Sequence, residues 1–305
     1  MRGWWQDLTD LVLPADCAGC GAPRSALCPR CRAMLDGAVP RRARPVPEPA
    51  GLPVVHAVAP YATEVRALLL AHKERGALAL AGALGVALAR AVRACLGSGV
   101  EDAGGVGGLR VGGGGAGAGP AGHSWREPLL LVPVPSARWA VRARGHDPVR
   151  RMALAAAREL RRTGTPARVA AVLRQRRAVA DQAGLDAPGR LANLAGALEV
   201  TAGGAPLLGD GRRVVLVDDL MTTGASLAEA ARALREAVVS GANGGTAVYR
   251  AITREGREER RIGSERERTE SVRSAPEKAV PNARARMPRA AVIAAPADSL
   301  EITRN

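Results

Sequence analysis

Continuous apolar runs alternate with amphipathic stretches along most of the chain. Three runs are typical of strands buried on both faces: VVHAVAPY at 54–61, PLLLVPVP at 128–135 and RVVLVDD at 213–219. RVAAVLRQ at 168–175 is a further candidate strand. Helical spacing of apolar residues predicts helices over about 63–96, 148–162 and 224–239, and a partly helical stretch at 183–198. The first of these helices is expected to break near Gly76. This alternation predicts an α/β fold with a parallel sheet flanked by helices.

The remaining stretches divide the chain into units. Residues 1–36 form a cysteine module, 37–53 a linker rich in Pro and Arg, and 54–240 plus 289–298 the α/β domain. The Gly-rich stretch 97–124 can build no core, so we interpret it as a flexible insertion, a mobile lid being the alternative. Residues 241–288 are mostly Arg, Glu, Gly and Ser and predict a disordered insertion. For the last strand, AAVIAAP at 290–296 is preferred over TAVYRAI at 246–252.

Composition adds a weak indication of the partner. The 305 residues are 47% hydrophobic, enough for a packed core, but only 2% aromatic with no Phe, so few rings can stack on bases. The net charge of +15 suits a polyanion such as DNA, yet it also suits phosphorylated small molecules. Almost all of the positive charge comes from Arg, since Lys73 and Lys278 are the only lysines. The preference for Arg over Lys and the abundance of Ala and Gly are also typical of a coding bias, which weakens the charge as an indication of a partner.

The N-terminal sequence predicts a cytoplasmic protein. The start MRGWWQDLTDLVLP carries Asp7 and Asp10 and has no long apolar run, so no signal peptide is expected. The longest apolar stretch, near ALALAGALGVALA, falls short of a membrane span, and none is predicted. In the cytoplasm the five cysteines are expected to be thiols or metal ligands.

The sequence CAGCGAPRSALCPRC brings two C-x-x-C pairs close together. Cys17, Cys20, Cys28 and Cys31 supply the four thiolates that a tetrahedral structural Zn²⁺ needs. An iron–sulfur cluster or a redox thiol pair are the alternatives, and the module can also serve as a docking surface. Cys95 lies in an apolar helical region and is expected to be merely buried.

The stretch VVLVDDLMTTGAS at 214–226 carries the strongest indication of chemistry. A buried strand would end at Asp218 and Asp219, where ligands bind open α/β sheets. Adjacent carboxylates repel each other, and a sugar diol with Mg²⁺ would relieve that repulsion. Gly224 allows close approach to a helix start, where backbone N–H groups favour an anion. The stretch therefore predicts a diol-binding acid pair followed by a phosphate-binding turn.

Two simpler interpretations compete for this stretch. It can be a strand followed by a polar turn and a helix cap, although the paired acids disfavour this. It can also be the acidic strand of a P-loop nucleotidase, but neither lysine lies in the required G-x-x-x-x-G-K-[ST] motif, which excludes that class.

These residues resemble the signature for 5-phosphoribosyl 1-diphosphate (PRPP) in type I phosphoribosyltransferases. Together with the four-cysteine module, the chain resembles the ComF family, phosphoribosyltransferase-like proteins associated with DNA uptake in competent bacteria. Three more segments are similar to that family: YATEVRALLLAHKERG at 61–76, LVPVPSARWAVRARGHDPVRRMA at 131–153 and RQRRAVADQAGLDAPGRLANLAGAL at 174–198. The resemblance covers nearly all of the chain except 97–124 and 241–288.

The resemblance implies a type I phosphoribosyltransferase-like sheet with an N-terminal zinc-knuckle module, and roles for particular residues. Asp218 and Asp219 would contact the ribose hydroxyls directly or through Mg²⁺. The loop at 136–147 would bind diphosphate. The residues implied are Met221, Thr222, Thr223, Gly224, Ala225 and Ser226 for the 5-phosphate; Arg138, Arg142 and Arg144 for the diphosphate; and Lys73, Gln182, Arg190 and Asn193 as further site residues. The arginine loop can alternatively be a solvated basic surface.

The chain departs from the family pattern after Arg144 and after Lys73. His146 stands where an aromatic residue is expected and is assigned to packing rather than acid–base work; Asp147 and Pro148 suit a helix start, and Glu74 replaces an aromatic residue. These changes affect the acceptor pocket, and the sequence assigns neither acceptor nor oligomeric state. The first hypothesis is a Mg²⁺-dependent phosphoribosyltransferase. The second is a non-catalytic module that binds DNA or the DNA-uptake machinery through its zinc knuckles and basic surface, and a weaker third is a PRPP sensor.

Overall fold

The computed structural model describes residues 16–97, 128–179, 186–209, 212–255 and 288–301, with the backbone alone for 241–255. Its strands are β1 Arg41–Ala43, β2 Val55–Pro60, β3 Leu129–Pro133, β4 Ala167–Val169, β5 Leu173–Gln175, β6 Leu198–Val200, β7 Val214–Leu220 and β8 Arg289–Ala295. Its helices are α1 Pro29–Gly37, α2 Thr63–Glu74, α3 Ala81–Gly97, α4 Arg138–Arg144, α5 Pro148–Arg162, α6 Ala187–Leu194 and α7 Ala225–Glu255.

The main sheet has six strands in the order β1-β2-β8-β7-β3-β4. β1 pairs antiparallel to β2, and the other five strands run parallel. The remaining two strands, β5 and β6, form a separate antiparallel hairpin. This arrangement confirms the predicted α/β class with a mostly parallel sheet flanked by helices.

Alternate side chains of the central strands enter two separate cores. On β3, Leu129 and Leu131 face one core, which α2, α3 and α5 complete. Leu130 and Val132 face the other core, which is closed by α7 and the hairpin. Because strand side chains alternate between faces, an uninterrupted apolar run is what burial on both faces requires.

Several predicted elements occur with close to their predicted bounds. The break at Gly76 falls between α2 and α3, and the preferred last strand is β8. α5 begins as predicted, with Pro148 in its first turn and the Asp147 carboxylate accepting the Arg150 N–H at 3.0 Å.

Four expectations were wrong in part. The predicted linker contains β1, which pairs with β2, and the predicted arginine loop contains the helix α4. The candidate strand at 168–175 is two short strands in different sheets. α7 continues to Glu255, into the stretch predicted to be disordered, while 256–287 and 98–127 lie outside the described residues.

Within the described ranges, one helical segment reaches the length of a membrane span. Leu78–Gly97 has 20 residues and is apolar enough to cross a bilayer, so the expected shortfall in length was wrong. However, 61% of its most apolar window is buried inside the protein. Its residues Leu88 and Val92 are fully buried, as expected of a core helix that packs against α5 and β8.

The carboxyl ends of β2, β8, β7 and β3 lie at one edge of the sheet because these strands are parallel. The β7–β8 pairing extends beyond β7, since the Met221 N–H donates to the Ala294 carbonyl at 3.0 Å. The chain therefore leaves β7 at the ligand-binding edge of the sheet, with the turn to α7 directly after the two acids.

Candidate functional site at the end of β7

Asp218 and Asp219 occupy the carboxyl end of β7 and are almost completely buried, with exposed fractions of 9% and 6%. The Asp219 backbone N–H donates to the Asp218 carboxylate at 2.8 Å. Burial, followed by the nearby charge of Asp219, raises the pKa of Asp218 well above its usual value. A cation or a hydroxyl-rich ligand would relieve this unfavourable arrangement.

Lys73, one of the further site residues implied by the sequence, contacts the acid pair directly. Its Nζ lies 2.9 Å from Asp219 Oδ2, and it projects from the last turn of α2. Burial alone would lower the pKa of Lys73, but the charges of Asp219 and Asp218 outweigh burial and raise it. Lys73 therefore partly compensates the two buried carboxylates.

Arg144 supports this lysine rather than pointing to the strand ends. Its Nη1 donates to the Lys73 carbonyl at 3.0 Å and lies 3.4 Å from Glu74 Oε1. Arg138 instead binds the hairpin, with Nη2 3.3 Å from the Gln175 carbonyl, and Arg142 is exposed. The three predicted diphosphate residues share one short helix, but their side chains do not converge on one point.

The turn from Met221 to Ser226 connects β7 to α7. Met221 is buried, Thr222 is exposed, and Thr223 Oγ1 accepts the Ala225 N–H at 3.4 Å. Gly224 has φ of +77°, and a Cβ there would lie only 2.9 Å from Leu52. Glycine is therefore required by backbone conformation and by space, and the turn leads directly into the start of a long helix.

Arg190 reaches this turn from α6. Its Nη1 lies 3.4 Å from Thr222 Oγ1, while its Nε is buried without a hydrogen-bond partner among the described residues. The Asn193 carbonyl accepts Arg177 Nη2 at 2.8 Å. Gln182 lies outside the described residues. The structure thus brings Lys73 and Arg190 to the predicted strand-end site.

The buried His72, next to Lys73 in the sequence, lies against the half-buried His146. Their ring centroids are 6.3 Å apart, and His72 has one ring nitrogen 3.4 Å from the Ala77 carbonyl and the other 3.3 Å from the Pro148 carbonyl. Burial lowers the pKa of His72. His146 Nδ1 lies 3.0 Å from the Arg144 carbonyl, in keeping with a packing role.

The four cysteines of the N-terminal module converge. The Sγ atoms of Cys17, Cys20, Cys28 and Cys31 all lie within 4.8 Å of one another. A tetrahedral zinc with Zn–S bonds of about 2.3 Å separates its sulfurs by roughly 3.8 Å, so the cluster can bind a metal such as zinc. Cys95 is remote, fully buried, and donates its thiol to the Ala290 carbonyl at 3.0 Å.

Local geometry explains how the short spacing forms this cluster. Cys28 caps α1, and a Cβ on Gly19 would lie 2.9 Å from Cys31 Sγ. Burial alone would raise the pKa of Cys17, but backbone N–H donors, that of Cys28 foremost, lower it to about 6. Burial raises the pKa of Cys31.

The two sites are joined by α2. Gly19 lies against Leu68 of this helix, and Arg30 Nη2 is 3.3 Å from Glu64 Oε1. Lys73 in its last turn contacts Asp219. The cysteine module therefore packs on the element that supplies the cation to the acid pair.

Three supporting residues were missed in the sequence. Leu52, from the predicted linker, closes over Gly224, and Arg177 Nη2 binds the carbonyl groups at the end of α6. Glu229 is buried, and its Oε1 accepts the Leu198 N–H at 2.9 Å. For Glu229, an i,i+3 pair with Arg232 on an apolar helix was the available signal.

No protein-family model and no curated protein matches the chain.

Proposed function

We propose that the edge of the sheet after β7 binds PRPP and that the protein is a phosphoribosyltransferase. The observation that carries the proposal is the buried pair Asp218–Asp219 at the carboxyl end of a central parallel strand, directly before a glycine turn into a helix. Lys73 and Arg190 reach this region from two other elements. Carboxylates for a diol, followed by a helix start for a phosphate, suit a sugar phosphate.

In this proposal Asp218 and Asp219 bind the ribose hydroxyls, and the segment Met221–Ser226 holds the 5-phosphate. The carboxylates also fit Mg²⁺, which is usually bound by one or two carboxylates together with substrate oxygens. Bound by Asp218 and Asp219, the ion would neutralise negative charge on the diphosphate. Zn²⁺ is assigned to the four cysteines as a structural ion.

The transfer breaks the bond between ribose C1 and the diphosphate oxygen and forms a bond from an acceptor nitrogen to C1. Diphosphate leaves with the bonding electron pair, and the acceptor releases its proton. The negative charges of Asp218 and Asp219 stabilise the positive charge that develops on the ribose. Arg138, Arg142 and Arg144 are the proposed diphosphate-binding residues, and Arg144 and Arg138 would exchange their carbonyl partners for it.

We further propose ComF-like membership and a type I phosphoribosyltransferase-like fold. Support comes from the order of features along the chain: a four-cysteine module, then an α/β domain, then a strand ending in Asp218 and Asp219. A role in DNA uptake and a cytoplasmic site of action belong to this proposal.

A second candidate is a non-catalytic module for DNA or the DNA-uptake machinery. The observation that favours it is the outward placement of the arginines on α4, where Arg138 and Arg142 are exposed beside Trp139, which is 62% exposed. Such a surface could bind a polyanion without any contribution from Asp218 and Asp219.

Equilibrium dialysis with labelled PRPP, with and without Mg²⁺, tests the first candidate. The zinc-loaded wild type is compared with the folded Asp218→Asn, Asp219→Asn double variant. We expect Mg²⁺-dependent binding that the double variant loses, followed by diphosphate release when acceptor bases are screened. In a complementation assay, a phenotype that the double variant restores but Cys17→Ser does not would support the second candidate instead.

A further inference from the structure

Arg190 carries a buried N–H donor that has no acceptor among the described residues. Its Nε is buried and has no hydrogen-bond partner in the part of the chain that the structure describes. Within the described residues, its side chain contacts Thr222 Oγ1, which lies 3.4 Å from Nη1. An unpartnered buried guanidinium nitrogen is unfavourable and calls for a ligand or another compensating group.

The structure holds Arg190 firmly beside the turn. α6 is capped by Asp186, whose carboxylate accepts the Gly189 N–H at 2.8 Å. Leu194 and the partly buried Leu191 of α6 pack with Ala225 at the start of α7. The position of α6 beside the turn therefore follows from apolar packing against the start of α7.

The strand β6, which follows α6, is attached to α7 as well. Glu229 accepts the Leu198 N–H, and Arg232 Nη2 donates to the Leu198 carbonyl at 2.8 Å. Arg232 Nε also lies 2.7 Å from Glu229 Oε2. Glu229 is therefore engaged by the Leu198 backbone and by Arg232, and these contacts fix β6 on α7 directly after α6.

We propose that Arg190 binds the phosphate of the ligand, with Thr222 Oγ1 as a neighbouring donor and Nε as one arm of the guanidinium fork. Arginine is well suited to this role because its planar guanidinium presents parallel N–H donors to two oxygens of one anion. The inference deepens the proposed function and rests on it: the 5-phosphate is gripped by a side chain from α6 in addition to the turn before α7.

Calorimetric titration with ribose 5-phosphate and, separately, with inorganic phosphate tests Arg190. The variants are Arg190→Gln and, as a matched control, Arg158→Gln, which removes the same charge from an exposed position in the second half of α5. We expect Arg190→Gln to bind both probes at least about tenfold more weakly, the effect of one charged hydrogen bond, and Arg158→Gln to bind like wild type. Equal affinity of folded Arg190→Gln and wild type would overturn the inference.

A measurement on the wild type keeps the test independent of variant folding. In ¹⁵N-labelled protein, the Arg190 Nε–Hε resonance is the one missing from the spectrum of Arg190→Lys. Addition of inorganic phosphate should shift this resonance, and an unchanged resonance at saturation would contradict a direct contact.

PRPP with Mg²⁺ serves as a third probe that separates this inference from the proposed function. Tight PRPP binding that Arg190→Gln retains would leave the function standing and remove Arg190 from it. Phosphate binding that depends on Arg190, without PRPP binding that depends on Asp218 and Asp219, would establish an anion site and overturn the phosphoribosyl assignment. Absence of binding by wild type to any probe would overturn both.

Discussion

The cysteine module and the site after β7 are built in opposite ways. Four cysteines within residues 17–31 come together through tight turns and one helix cap, so their convergence is a local property of the sequence. The strand-end site collects Asp219 from β7, Lys73 from α2 and Arg190 from α6, which are far apart along the chain. A local cluster can be recognised by spacing, whereas a distributed site depends on the fold.

The two sites also differ in how fully their charged and polar groups are compensated. The four sulfurs lie close enough to share one metal ion. Among the described residues, Lys73 is the one cation in salt-bridge contact with the acid pair, and Arg190 Nε has no hydrogen-bond partner. The strand-end site therefore has more uncompensated charge and more unpaired hydrogen-bonding groups than the cysteine cluster. This is expected where a bound ligand supplies the missing partners.

The largest effect is expected from breaking the cysteine cluster. Cys31→Ser should remove a bound metal ion and lower the free energy of unfolding by several kcal/mol, because metal binding contributes directly to folding. Metal analysis of the purified protein and denaturant unfolding measure this. The control is Cys95→Ala, which should keep its metal, and equal metal content in both variants would contradict the assignment.

Lys73→Ala is expected to have the next largest effect. It leaves Asp219 buried beside Asp218 without its nearest cation, and we expect a loss of about 2 kcal/mol, discounted because the Lys73 side chain is 36% exposed. Urea unfolding at pH 7 measures this loss. Arg75→Ala, at the exposed residue directly after the same helix, is the control. An equally small loss of stability in both variants would contradict a charge compensation by Lys73.

Asp218→Asn should raise stability at neutral pH by about 1 kcal/mol. The pKa of Asp218 is higher in the folded state than its value near 3.8 in the unfolded chain. Ionisation of Asp218 therefore destabilises the fold once the pH rises above the pKa of the unfolded chain. The gain should be present at pH 8 and disappear as the pH falls towards 4. Unfolding curves at both values measure it, and a variant that is less stable than wild type at pH 8 would refute this sign.

The smallest difference sharpens the description of α4. Arg144→Gln should cost about 1 kcal/mol because it removes the hydrogen bond to the Lys73 carbonyl, whereas Arg142→Gln should change stability by less than about 0.5 kcal/mol. Thermal unfolding of the two variants compares them. Equal effects would mean that Arg144 does not support the position of Lys73.

Most of the sheet could be predicted because its strands are buried on both faces and therefore read as continuous apolar runs. The short elements could not. β1 has three residues in a segment rich in Pro and Arg, and α4 has seven residues of which only Ala140 is buried. Neither element is long enough or apolar enough to show a recognisable hydrophobic periodicity. Such elements form because the surrounding fold supplies partners, as β2 does for β1.

The candidate site was predictable only where its residues are consecutive. Asp218, Asp219 and the turn that follows them are consecutive in sequence, and in the structure they form the end of β7 and the turn after it. The contact between Lys73 and Asp219 and that between Arg190 and Thr222 arise from packing of α2 and α6. Sequence could nominate Lys73 and Arg190 as candidates, but it could not distinguish them from Arg138, which turns to Gln175 instead.

A crystal structure of the zinc-loaded protein with PRPP and Mg²⁺ tests the central claim most directly. The account predicts ribose density at Asp218 and Asp219, with the 5-phosphate between the turn at 222–226 and Arg190. Ligand density elsewhere on the protein, or none at saturating PRPP with an ordered β7–α7 turn, would contradict the claim that this edge of the sheet binds a phosphoribosyl group.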